Sequence, residues 1–131
     1  MDKFNQLANK NQTFSEKDTF TLKRYEIFFR HFNTNYTTVL DFGCNTGRGG
    51  ALLKKLNPQL KILGADIIQE RLEKLPKDSY LKSINLMEEK ITDFNTDIDV
   101  IVAGEVIEHI EITQLVTYLS EFYQILFFLV S

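Results

Sequence analysis

A single cysteine, Cys44, leaves the chain no internal disulfide, and its opening MDKFNQLANKNQ lacks the apolar core of a secretory signal. A reducing, cytoplasmic setting is therefore expected. Long apolar runs are missing as well: ILFFLV at 125–130 is far too short for a membrane helix. Only two prolines, Pro58 and Pro76, punctuate the sequence, each where a helix would be ending, and no internal repeat or low-complexity tract is present. Charge of one sign is not in excess. The net charge of −3 gives no electrostatic footprint for nucleic acid, although residues 1–60 carry nine Lys/Arg against five Asp/Glu and residues 61–131 carry six against thirteen. Glycine is scarce too, six in 131 residues, yet four of the six (Gly43, Gly47, Gly49 and Gly50) crowd into eight positions behind Asp41.

What is present is the composition of an ordinary globular domain, 44% hydrophobic and 25% charged, long enough to bury about two thirds of its unfolded surface in one core. Residues 1–14 read as a loose polar segment and 15–131 as a single domain. Ser15 and Asp18 resemble a capping box, and Leu22, Tyr25, Phe28, Phe29 and Phe32 then recur at helical spacing, which predicts an amphipathic helix over 16–32 with an aromatic core stripe. Strands are predicted at TTVLDF, LKILGAD, SYLKSIN and DIDVIVA. The last is apolar at almost every position, as for a strand covered on both faces. Helices are predicted at GALLKKLN, at IIQERLEKLP and at EITQLVTYLSEFYQIL, where Leu115, Leu119, Phe122 and Leu126 form one stripe, and FFLV reads as a fifth strand. The alternation implies an α/β fold, a doubly wound, mostly parallel sheet of about five strands with helices on both faces. YQILFFLVS contains neither Gly nor Pro to turn a helix into the next strand, and the sequence stops at what should be mid-strand. The expectation is a domain incomplete at its C-terminal end, whose uncovered sheet edge favours self-association.

In such a sheet, ligands lie at the carboxyl ends of the strands, where the loop DFGCNTGRGG falls. Its glycines permit a sharp bend and a close approach, and the next helix aims its positive end at the same place. The spacing fails the dinucleotide pattern G-x-G-x-x-G, which argues against a nicotinamide-dependent oxidoreductase, and Asp41 beside the cleft would repel a pyrophosphate. A carboxylate there suits a cationic amine instead. Asp66, 19 residues after Gly47 at the tip of the second strand, is placed to accept hydrogen bonds from both hydroxyls of a ribose.

These features resemble the class I S-adenosylmethionine-dependent methyltransferases over residues 37–131. VLDFGCNTG is similar to their first motif, with Asp41, Gly43, Cys44 and Gly47 in register and Asn45 where that family most often has glycine; Asn also enters left-handed backbone readily. GADI resembles their acidic second motif, which implies that Asp66 holds the ribose and Ile67 packs on the adenine. INLME stands where the family places groups near the adenine, which implies Asn85 and Leu86. The resemblance thus implies S-adenosylmethionine as cofactor; the acceptor is expected to be a small molecule or a glycan, with O-methylation slightly preferred because a candidate base lies beside the cleft.

GEVIEHIE sets Glu105, Glu108 and His109 on one side of a helical turn. Glu105 and His109 are the candidate catalytic residues, as bases toward an acceptor hydroxyl. The cluster also resembles the metal site of small-RNA 2′-O-methyltransferases, but no further histidine follows, and no metal is assigned. Cys44 is read as a packed turn residue rather than a nucleophile. The alternatives are a noncatalytic module of the same fold and, further off, an RNA 2′-O-methyltransferase-like domain.

Overall fold

The computed structural model describes residues 16–104 and 110–130. The loose segment expected at 1–14, Ser15 of the capping box, and the cluster of Glu105, Glu108 and His109 lie outside the described residues. In chain order the elements are α1 (Glu16–Arg30), β1 (Thr38–Phe42), α2 (Arg48–Leu56), β2 (Lys61–Asp66), α3 (Gln69–Glu73), β3 (Tyr80–Asn85), a 3₁₀ turn (Ile91–Phe94), β4 (Val100–Ala103) and α4 (Ile112–Val130). The four strands form one parallel sheet in the order β3-β2-β1-β4. Among the described residues, no helix is long and apolar enough to cross a membrane.

Strand alternation divides the interior in two. Along β1, Val39 and Asp41 point to one face, Leu40 and Phe42 to the other. The first face is covered by α1 and α2 through Tyr25 and Leu53, and by Leu72 of α3 and Leu75 just after it, with Phe28, Phe29 and Phe32 packed alongside; Leu22 of the expected stripe is 40% exposed. The second is covered by the 3₁₀ turn, through Ile91 and Phe94, and by α4. Asp99, just before β4, accepts the Thr37 and Thr38 backbone N–H groups at 2.7 and 2.9 Å and the Thr37 hydroxyl at 3.0 Å, fastening the start of β1 to that of β4.

Tyr80 and Ile84 sit four residues apart on β3, a spacing that puts both on one face of a regular strand. They lie on opposite faces here. The pairing with β2 steps from Ile62↔Tyr80 to Leu63↔Lys82, so Leu81 is an extra residue, a bulge that reverses the alternation between the two.

Two expectations are corrected. FFLV is not a fifth strand, because with no glycine, proline or capping residue to stop it α4 runs on to Val130. β4 is covered on both faces as expected, Val100 and Val102 packing into one half of the interior and Ile101 and Ala103 into the other, while laterally it pairs only with β1 among the described residues. The inward stripe of α4 is Tyr118, Phe122 and Ile125, with Tyr118 and Phe122 set edge-on to Phe42 at 5.0 Å, whereas Leu119 is 50% exposed. An aromatic pair against a buried phenylalanine outweighs a leucine row, since such contacts add to area burial.

Candidate functional site

The turn between β1 and α2 holds three residues in left-handed backbone: Gly43 (φ 77°), Asn45 (φ 53°) and Gly47 (φ 91°). Asn45 thus adopts the conformation expected of an asparagine in a glycine's place. Three N–H groups of the turn are engaged by β2: those of Gly43 and Cys44 donate to the Ala65 carbonyl at 2.8 and 3.0 Å, and that of Asn45 donates to Asp66 Oδ2 at 2.9 Å. The next donors are the first N–H groups of α2, which have no intrahelical partner, and Gly47 supplies no side-chain cap.

The glycines are tied to two aromatic rings beneath the turn. A Cβ on Gly49 would overlap the Tyr25 ring, one on Gly50 the Tyr80 phenol, and one on Gly47 would stand 2.6 Å from Pro76 and 2.8 Å from Tyr80. Both tyrosines donate to Asp41, Tyr25 to Oδ1 at 2.5 Å and Tyr80 to Oδ2 at 2.6 Å. Asp41 is wholly buried, and burial pushes its carboxyl from 3.8 up to about 6 against the opposing pull of the two hydroxyls. Burial likewise drives both phenols and the Cys44 thiol well above their ordinary values. Asp41 is a buried strut under the turn, its two oxygens bonded to tyrosines. Cys44 is 3% exposed, so its thiol is an inert packing group.

Asp66 ends β2 and is 4% exposed. Its Oδ1 accepts the N–H groups of Ile67 and Ile68 at 2.7 and 3.1 Å, and its Oδ2 accepts that of Asn45. A carboxylate has about four acceptor positions. One therefore remains, enough for a single hydroxyl rather than the two expected. Arg71, 6% exposed, brings Nη1 to 3.8 Å from Oδ2, while its Nε and Nη2 are buried without a hydrogen-bond partner.

A narrow, partly open cavity lies beside Asp66, at the carboxyl ends of β1 and β2. Of the residues expected to bind cofactor, Gly43, Asp66, Ile67 and Leu86 line it. Asp41, Cys44, Asn45 and Gly47 instead shape the turn from below and beside. Asn85 does not line it: its Nδ2 donates to Gln69 Oε1 at 3.1 Å and its Oδ1 accepts the Met87 N–H at 2.9 Å, which ties the side chain to α3 and to its own turn. The sequence reading missed Phe42, Ile110, Gln114 and Tyr118 on the wall. The one available signal was the i, i+4 pairing of Gln114 with Tyr118 on a helix following the fourth strand. A more open groove continues past Leu86, Gln114 and Tyr118 to Lys90 and Glu121. Apolar walls, a carboxylate with one acceptor position left and a helix N-terminus nearby fit a nucleoside that carries an amino-acid tail. No group of His, Cys, Asp and Glu able to hold a metal occurs among the described residues.

A family profile described as "Methyltransferase domain" matches residues 40–126. No curated protein sequence matches the chain. Among solved structures, it is similar to a SAM-dependent methyltransferase from Archaeoglobus fulgidus, at 20% identity and TM-score 0.62 over 93% of this chain and 52% of that one. It is also similar to the methyltransferase domain of the bacterial protein CtHen1-C, at 21% identity and TM-score 0.56 over 78% and 56%. A third is the plantazolicin methyltransferase BpumL in complex with a pentazolic substrate analogue and SAH, at 20% identity and TM-score 0.52 over 87% and 46%. At these identities the likeness is one of fold, and the chain spans about half the length of these three structures.

Proposed function

This chain belongs to the methyltransferase-domain family, and from that premise we propose that it binds S-adenosylmethionine in the cavity beside Asp66 and transfers its methyl group to a small-molecule or glycan acceptor, with O-methylation preferred. The observation that carries the reading is convergence: Gly43, Asp66, Ile67 and Leu86 come from three separate stretches of sequence and line one cavity. When bound, the cofactor supplies a methyl group already electrophilic on its sulfonium. The chain's own task is to hold the partners in line, which can contribute on the order of 7–11 kcal/mol.

In this reading Asp66 takes one ribose hydroxyl on its remaining acceptor position, and Ile67 and Leu86 flank the base. The first turn of α2 receives the tail carboxylate. Glu105 and His109 are the candidates for taking the acceptor's proton. Self-association through the edge of β4, which is unpaired among the described residues, belongs to the same proposal and is checked by the mass of the particle in solution.

Titration calorimetry with S-adenosylhomocysteine tests the binding. Asp66→Asn should weaken it about tenfold or more, because the amide turns a donor toward N–H groups and the sugar. Unchanged affinity would remove Asp66 from the site. The alternative reading is a module that binds the nucleoside without turnover. Transfer of a labelled methyl group to a metabolite extract separates the two.

A further inference from the structure

We infer that Gln114 reads the amino edge of the adenine, a part that Asn85 does not play. The inference rests on the cofactor reading above and deepens it. Among the residues on the cavity wall, Gln114 presents the one side-chain amide, next to the Ile67 and Leu86 walls that would flank a base. Among the described residues its amide makes no hydrogen bond, whereas both ends of the Asn85 amide are engaged, by Gln69 of α3 and by the Met87 N–H. Gln114 is also held in place. Tyr118, one helical turn further along α4, packs edge-on against Phe42, so this face of the helix is fixed against the sheet directly beside the cavity.

The chemistry is complementary. A glutamine amide offers one acceptor and two donors in a plane, and adenine presents its 6-amino donor between two ring-nitrogen acceptors. The amide oxygen accepts from the 6-amino group while its N–H donates to a neighbouring ring nitrogen. Asp66 fixes the sugar, and Gln114 fixes which base the sugar carries.

The test measures binding of S-adenosylhomocysteine and of its 6-desamino purine analogue to the wild-type chain and to Gln114→Leu, which keeps the side chain's bulk. Gln114 is exposed and no part of the buried core, so the variant should unfold at the wild-type temperature. The wild type should prefer the amino compound about tenfold, and Gln114→Leu should lose that preference while binding the desamino analogue as before. If the wild type binds and the variant keeps the same preference, the assignment of Gln114 is overturned and the cofactor reading stands. If the wild type binds neither compound, both fall together. Gln114→Glu, which keeps the acceptor and loses the donor, should retain part of the preference; a variant indistinguishable from wild type would likewise overturn the assignment.

Discussion

Replacing Asp41 by asparagine should change how the protein's stability depends on pH, in a direction the buried site dictates. Burial raises the carboxyl from 3.8 to about 6 even though Tyr25 and Tyr80 each donate a hydrogen bond to it. Such a displacement corresponds to about 3 kcal/mol of preference for the protonated form in the folded state. Because the folded pKa is the higher, the folded chain binds more protons than the unfolded chain between about pH 4 and pH 6. This contribution to stability is full below pH 3.8 and is lost as the pH rises through about 6. Asparagine cannot ionise, yet it keeps an oxygen for one phenol and offers an N–H to the other. Urea unfolding of both proteins, followed by circular dichroism from pH 4 to pH 7, should show wild type losing about 2 to 2.5 kcal/mol relative to Asp41→Asn, since part of the effect already lies below pH 4. Taking the difference cancels groups remote from the site. Tyr80→Phe removes one donor to the carboxylate and should move the loss to higher pH. A difference that stays level from pH 4 to pH 7, or that slopes the other way, would refute the account of Asp41 as a desolvated strut.

Gly50→Ala should be destabilising by several kcal/mol, since its Cβ would overlap the Tyr80 phenol, whereas Gly104→Ala, with its nearest neighbour at 3.8 Å, should stay within about 1 kcal/mol of wild type in the same unfolding assay. Asp99→Ala removes three hydrogen bonds from Thr37 and Thr38 and should cost roughly 1–3 kcal/mol at neutral pH. Partial burial pushes the Asp99 carboxyl up, but those hydrogen bonds outweigh it and hold the pKa below 3.8, so the gap to wild type should close as the pH falls through that lowered value. A gap that persists at pH 2 would point to packing instead.

Much of the fold could be read in advance because its signals are local. The four strands announce themselves as short apolar runs between breakers, and the left-handed turn as glycines with one asparagine. Two errors share a different cause. The apolar run FFLV reads as a strand but carries no stop signal of its own, so helix and strand are not separable by pattern there. Of the stripe expected on α4, Phe122 does face inward, but Tyr118 takes the place of Leu119, because a nearly uncharged helix gives little contrast between its faces.

The site divides along the same line. Gly43, Asp66, Ile67 and Leu86 lie at strand ends, where spacing alone brings them to the cavity. The setting of Asp41 was hidden, for it depends on Tyr25 and Tyr80, sixteen and thirty-nine residues distant in sequence. Gln114 was hidden as well, because only the docking of α4 through Tyr118 carries it to the wall.

The extra residue in β3 constrains chain length more than chemistry. Leu81 is 66% exposed, so many side chains would serve there, but removing the residue altogether would turn Tyr80 away from the carboxylate or Ile84 out of its core. A one-residue deletion in an outer strand would then undermine the cradle two strands away, while point changes at the same position pass unnoticed.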